Sequence, residues 1–155
     1  MQAHYILIPL IAIAAILSGS LITRTGLAWY RTLRIPPWTP TARIISGVWT
    51  ILALLTCISA ILAWDATPEP SHGTLAAVYV VNAFLNVAFS YLFFVRHQIG
   101  SATLEALLLA LSVVVMMAQV LPANWVAALL LLPYLLWVLF AAWLSFTVFR
   151  LNATA

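Results

Sequence analysis

Two asparagines, a set of large aromatic rings and a group of arginines are the side chains in this chain with chemistry to offer. Asn82 and Asn86 stand four residues apart inside an apolar run, so both amides fall on one face of a helix. Trp29, Tyr30, Trp38, Trp49, Phe89, Trp137 and Trp143 supply rings that can stack on a flat apolar molecule. Arg31, Arg34 and Arg43 can meet anionic groups with charge-assisted hydrogen bonds. The asparagines offer either an interhelical hydrogen bond or a polar contact in a ligand cavity, and the rings either an interfacial belt or a cavity wall.

Other chemistries lack their parts. No Ser/His/Asp set lies within the apolar runs, and His4, His72 and His97 all fall near their ends. No Cys/His grouping has metal-ligand spacing, and there is no phosphate loop. A hydrolase or metalloenzyme is therefore not expected. Cys57, the single cysteine, lies in an apolar run and reads as a small buried hydrophobe. Glu105 falls about one turn into its helix, where it can pair with Arg96 or cap the helix. Ser90 and Ser145 can bond their own helix backbone.

These residues need elements to hold them, and composition says where those elements sit. Of 155 residues, 66% are hydrophobic and only 6% charged, against about 25% charged in a soluble chain. Such a chain takes the bilayer as its solvent. Five continuous apolar runs are long enough to cross it as helices, at about 5–22, 44–64, 74–95, 102–120 and 125–149. Their lack of period-2 alternation argues against a barrel. The fold class is thus an all-α membrane protein, a bundle of five transmembrane helices in a single domain over 1–155. Ser18, Gly19 and Ser20 would suit a signal-peptide cleavage site, but no basic residue precedes the run, so it is read as the first span. Ala15 and Gly19, and likewise Ala14 and Ser18, are spaced for close helix packing. Asn124 is placed to cap the last helix.

With five spans, Arg24, Arg31, Arg34, Arg43, Arg96 and Arg150 share one membrane face, while Asp65 and Glu69 take the other. The positive-inside rule then expects the N-terminus outside and the C-terminus in the cytoplasm. Two readings remain open for the polar and aromatic residues. Asn82 and Asn86 either make interhelical hydrogen bonds that fix packing or contact a ligand in a cavity. The tryptophans either form an interfacial belt, which suits Trp64 and Trp125, or line a cavity, which suits Trp49 and Trp137. Pro133 falls inside the fifth helix, where it opens a backbone carbonyl and can widen the space between helices.

The segment from Trp29 to Thr50 carries the most specific pattern. Trp29, Tyr30, Leu33, Pro36, Trp38, Pro40, Val48, Trp49 and Thr50 resemble the pattern of the TspO/MBR family, the tryptophan-rich sensory proteins related to the translocator protein or peripheral-type benzodiazepine receptor. The resemblance continues through Asn86, Phe89, Ser90, Phe93 and Phe94, through Pro133, Tyr134, Leu135 and Trp137, and through Arg150, Leu151 and Asn152, so it covers essentially the whole chain. The departures are Ile35 for a lysine, Thr41 for a proline, Ala53 for a tyrosine, Phe89-Ser90-Tyr91 for Trp-Ser-Pro, and Ser145 and Thr147 for an asparagine and an acidic residue. They make the expected cavity less polar. The animal cholesterol motif is not kept at Phe149-Arg150, although Leu27, Tyr30 and Arg34 fit its loose form, which leaves a sterol as a candidate partner.

The resemblance implies a five-helix bundle of bacterial type in the cell membrane, a homodimer, with a cavity between the helices and the long first loop acting as its lid. It implies binding of porphyrins such as protoporphyrin IX, in transport or stress-linked regulation, and of benzodiazepine-receptor drug ligands. It places ligand contacts at Tyr30, Trp38, Trp49, Asn86, Phe89, Ser90, Trp137 and Ala141. The alternative it implies is light-dependent oxidative degradation of the bound porphyrin, with Trp49 and Trp137 as catalytic residues. No resident cofactor, metal or nucleic acid is expected, the porphyrin being ligand or substrate.

Overall fold

The computed structural model describes residues 3–153, and these form helices and turns with no strand among them. The helices are α1 (His4–Tyr30), α2 (Ala42–Ala66), α3 (His72–Ser90), α4 (Ile99–Val120) and α5 (Trp125–Asn152). A 3₁₀ turn, Glu69–Ser71, leads into α3, and a π turn, Tyr91–Val95, ends it. With the flanking turns counted, all five are long and apolar enough to cross a membrane. Thr41 and Asn124 cap α2 and α5 by accepting backbone N–H bonds from Ile44 and from Val126 and Ala127, as expected for Asn124.

The largest difference from the sequence reading is at α1. The helix continues past Ile22 to Tyr30, so the first connection shrinks to residues 31–41. Trp29 and Tyr30 therefore belong to the last turn of a helix and not to a loop, Arg24 lies within α1, and Arg43 lies in the first turn of α2. The physical reason is tertiary. Gly26 is buried against the π turn, and that contact extends the helix through a stretch whose polar residues read as a connection.

Packing centres on α4 and α5, an antiparallel pair joined by a turn of four residues, 121–124. Ala102, Ala106 and Ala110 recur every fourth residue on α4 and are all buried, opposite a set on α5 that includes Ala127, Ala128 and Ala142. In lipid the apolar effect between helices is weak, and small residues hold helices together by letting backbones approach. Leu104, Leu107, Leu108 and Leu111 of α4 point the other way and are all exposed, as suits a helix face solvated by acyl chains, while Leu109 and Met116 join the core. α3 packs on α4, α2 on α5, and α1 closes the bundle against α2, α3 and the π turn. α1 is the outermost element, burying only His4 and Gly26.

Each end of the bundle is tied by its own contacts. At one end the Asp65 carboxylate holds His4 Nε2 at 2.9 Å and accepts from Tyr5 Oη at 2.8 Å. Trp64 stacks between His4 and His72, with ring centres 5.7 and 4.2 Å away. At the other end Asn152 clasps Arg34, accepting from its N–H at 3.0 Å and donating to its carbonyl at 2.9 Å. Trp29 there stacks on His97, with centres 4.1 Å apart, and His97 takes the left-handed φ of 55° that the tight third connection requires.

Candidate functional site

The site is best built outward from Tyr134. Pro133 and Tyr134 follow one another on α5, and Tyr134 is buried at 4% exposure. Its hydroxyl donates to Asn82 Oδ1 at 3.1 Å and accepts from Asn86 Nδ2 at 3.2 Å. Asn82 Nδ2 donates onward to Ser112 on α4 at 2.8 Å. The four-residue spacing of the asparagines thus joins α3, α4 and α5 through one phenol. The amides do make interhelical bonds. Asn82 is spent on two partners and buried, whereas Asn86 is half-buried with its amide oxygen unclaimed by a protein donor.

Trp49 of α2 meets the ring of Tyr134 edge-on, at 6.1 Å between centres. Beside it a groove of about 430 Å³ runs between α2 and α5, lined by residues that include Val48, Leu52, Pro133, Trp137 and Phe140. Its wall is almost wholly apolar. The indole Nε1 of Trp137 is buried and has no hydrogen-bond partner. A donor in that condition costs about 1–3 kcal/mol until an acceptor reaches it. Trp38, from the first connection, rests edge-on against Phe140 at 6.0 Å, and Phe140 packs on Trp137 at 5.2 Å. Ala141 lies one turn beyond Trp137 on α5, partly exposed.

The remaining expected contacts lie in a second neighbourhood at the arginine-bearing end. Phe89 stacks on Phe93 at 5.8 Å, and Tyr30 leans on Phe93 and Phe94 at 6.1 and 5.9 Å. Ser90 faces Gly19 of α1. Of the expected contacts, Trp137 lines the groove and Trp49 lies beside it against Tyr134, while Tyr30, Phe89 and Ser90 are not brought there. Asn86 and Phe89, one turn apart on α3, are the step between the two groups.

Two other expectations change. Glu105 neither pairs with Arg96 nor caps α4. It is buried at 6% exposure and neither carboxyl oxygen has a partner, because it faces inward among α3 and α5 while Arg96 is exposed. Ser145 does not bond its own helix; it meets Thr103 Oγ1 of α4 at 3.0 Å. Tyr134 and Phe140 were not singled out as site residues in the sequence. The signal for Tyr134 was present, since two amides at helical spacing demand partners within hydrocarbon.

Five long apolar helices around a buried polar knot and an aromatic groove define a multi-pass integral membrane protein. The TspO/MBR family model matches residues 5–151. The chain is 36% identical to the uncharacterized membrane protein YtaB of Bacillus subtilis over 124 residues, 80% of each chain. It is 31% identical to the tryptophan-rich protein TspO of Bacillus cereus over 128 residues, again 80% of each. It is 33% identical to the translocator protein of Ovis aries over 132 residues, 82% of this chain and 76% of that one. The chain belongs to the TspO/MBR family.

Proposed function

We propose that this protein binds tetrapyrroles of the protoporphyrin IX kind inside the membrane, and that drug ligands of the benzodiazepine-receptor type enter the same place. The observation that carries the reading is the almost wholly apolar groove between α2 and α5, walled by Trp137 and Phe140. Such a groove favours a ligand that is mostly flat and apolar, while the Trp137 indole N–H stays buried behind its wall. A tetrapyrrole has the ring for Trp137 and Phe140 to cover, with Trp49 close by against Tyr134, and its carboxylates would reach Arg31, Arg34 or Arg43 at the nearby end. Trp38 stands at the groove's edge on the connection between α1 and α2, which suits a covering role for residues 31–41. The arginines favour an orientation with the N-terminus outside and the C-terminus in the cytoplasm, and a second copy of the chain is the proposed partner in a homodimer.

The test is tryptophan fluorescence of the purified protein on addition of protoporphyrin IX. Saturable quenching is expected, weakened at least several-fold in Trp49→Phe and in Trp137→Phe. The absence of saturable quenching in the unmodified protein would sink the reading. Illuminating the complex and following the porphyrin absorption bands separates a binder, whose bands persist, from a degrading activity that depends on those tryptophans.

A further inference from the structure

α1 meets the bundle along one side, and Gly26, pressed on Phe94, marks that side. At 3.6 residues per turn, Arg24 stands about 160° round the helix from Gly26, and Arg31 stands about 20° from Arg24. Leu10, Ile13, Leu17 and Leu21 fall with the two arginines in one sector of about 80°. All six side chains are exposed. The outer face of α1 is therefore an apolar stripe that ends in two cations. Arg24 is the unusual member. Its Cα lies about 9 Å along the helix before that of Tyr30. Trp29 and Tyr30 are residue types that settle at headgroup level, so Arg24 is rooted among acyl chains with its side chain on the lipid face. An arginine there is costly unless its guanidinium climbs to an anion at the interface. None of the three acidic side chains is placed to meet it. Asp65 holds His4 at the other end of α1, in the only ion pair among the described residues. Glu69, just after α2, belongs to that same end, and Glu105 is buried in the bundle.

We propose that the outer face of α1 binds one anionic phospholipid, its phosphate held between Arg24 and Arg31 and an acyl chain laid along Leu21 and Leu17. The two arginine Cα atoms are about 10 Å apart along the helix, a gap that two long side chains close from either side of one phosphate. Guanidinium forks match phosphate oxygens with paired hydrogen bonds. The site selects by headgroup charge. A zwitterionic headgroup brings its own cation, which two arginines repel, whereas phosphatidylglycerol brings none. The apolar stripe below the arginines is what favours a lipid over a free phosphate. No residue of α1 lines the groove between α2 and α5, and the assignment leaves Arg34 and Arg43 for a ligand there, so it stands apart from the tetrapyrrole reading.

The experiment is native mass spectrometry of the full-length protein, released from detergent micelles that carry phosphatidylglycerol or phosphatidylcholine with the same acyl chains. One phosphatidylglycerol retained per chain is expected, in preference to phosphatidylcholine. Retention should fall about five-fold in Arg24→Gln and likewise in Arg31→Gln, which is what one arginine near an anionic headgroup contributes. Arg24→Lys should keep part of the retention, which guards against a folding failure of the glutamine variant. Arg150→Gln removes the same charge from the same end of the bundle and should leave retention unchanged. Equal loss in all three glutamine variants would reveal a diffuse basic surface, and equal retention of both lipids would reveal no selection by charge. Displacement of the lipid by inorganic phosphate would assign the arginines to a soluble anion. Dissociation of a dimer in Arg24→Gln, with lipid retained, would assign the face to a second copy of the chain. Each of these four outcomes overturns the proposal. No readout involves porphyrin, so a failure of tetrapyrrole binding is seen separately.

Discussion

Gly26 of α1 is seated directly on the backbone of Phe94 in the π turn that ends α3. A Cβ built on Gly26 would stand 2.7 Å from the Phe94 Cβ, 2.8 Å from its carbonyl carbon, and closer still to the carbonyl oxygen. The two features fit one another. A π turn displaces its carbonyls from the regular helical ladder, and only a residue without a side chain lets α1 meet them. The contact also carries function, since it sets Tyr30, one turn further on, against Phe93 and Phe94.

Gly26→Ala should therefore destabilise the protein by about 1–3 kcal/mol, the usual range for overpacking, although alanine is the better helix former. Gly47 of α2 provides the contrast, because a Cβ there meets nothing within 4 Å. Gly47→Ala should be neutral or stabilising by up to about 1 kcal/mol from helix propensity. Unfolding by heat or denaturant in detergent measures both. Equal effects of the two changes would show that the α1 contact is looser than this geometry.

Tyr134→Phe should keep the ring against Trp49 while removing both hydrogen bonds to the asparagines. Hydrogen bonds between membrane helices average about 0.6 kcal/mol and reach about 1.7 kcal/mol, so a total loss of about 1–3 kcal/mol is expected. Asn82→Ala should cost as much or more, because it strands the phenol proton and removes the bond to Ser112, which keeps only its donation to Leu109 O. In the double variant the losses should fall short of their sum, the mark of a shared network. Simple additivity would mean that the phenol and the amide act independently.

The five spans were legible because bilayer thickness demands long apolar runs, and nothing else in the chain competes with that signal. Family membership was legible because Trp-Tyr and Pro-x-Trp-x-Pro are rare at that spacing. The end of α1 was not. Arg24 and Thr25 look like the start of a loop, and only the docking of Gly26 on Phe94 turns that stretch into helix. The fate of Glu105 was hidden for a related reason. Whether a carboxyl near a helix start meets Arg96 or the bundle core depends on the rotation of α4 against α3 and α5. In the same way the rotation of α5 against α2 brings Trp137 to the groove, while Tyr30 of α1 and Phe89 of α3 gather at the π turn.

Asn152→Ala should free the first connection. Asn152 bonds both the N–H and the carbonyl of Arg34 and also donates to Val148 O. It thereby fastens residues 31–41 to the end of α5, with Trp38 laid over Phe140 further along. Amide hydrogen exchange across 31–41 should rise at least several-fold in the variant while exchange in α4 stays unchanged. Protoporphyrin quenching should weaken if that segment covers the groove. Unchanged exchange would place the restraint in Trp38 instead.

The opposite end offers a cleaner measurement. The Asp65 carboxylate is shared between His4 and Tyr5, so one side chain of α2 anchors the first turn of α1. α1 has little else to hold it there, since most of its length faces outward and only His4 and Gly26 are buried. His4 is also stacked on Trp64, so removing Asp65 leaves a buried imidazole packed but unbonded. A double-mutant cycle of His4→Ala and Asp65→Ala should return a coupling of about 0.5–1 kcal/mol, modest because Asp65 is 38% exposed and its charge is screened. Asp65→Asn should keep part of the coupling, because its amide oxygen still accepts from one partner. The effect should be confined to α1. Hydrogen exchange in its first two turns should rise in Asp65→Ala while the α4–α5 pair is undisturbed, because α1 does not contribute to that core. If α4 and α5 loosened equally, the His4–Asp65 contact would be holding the whole bundle and not its outermost helix.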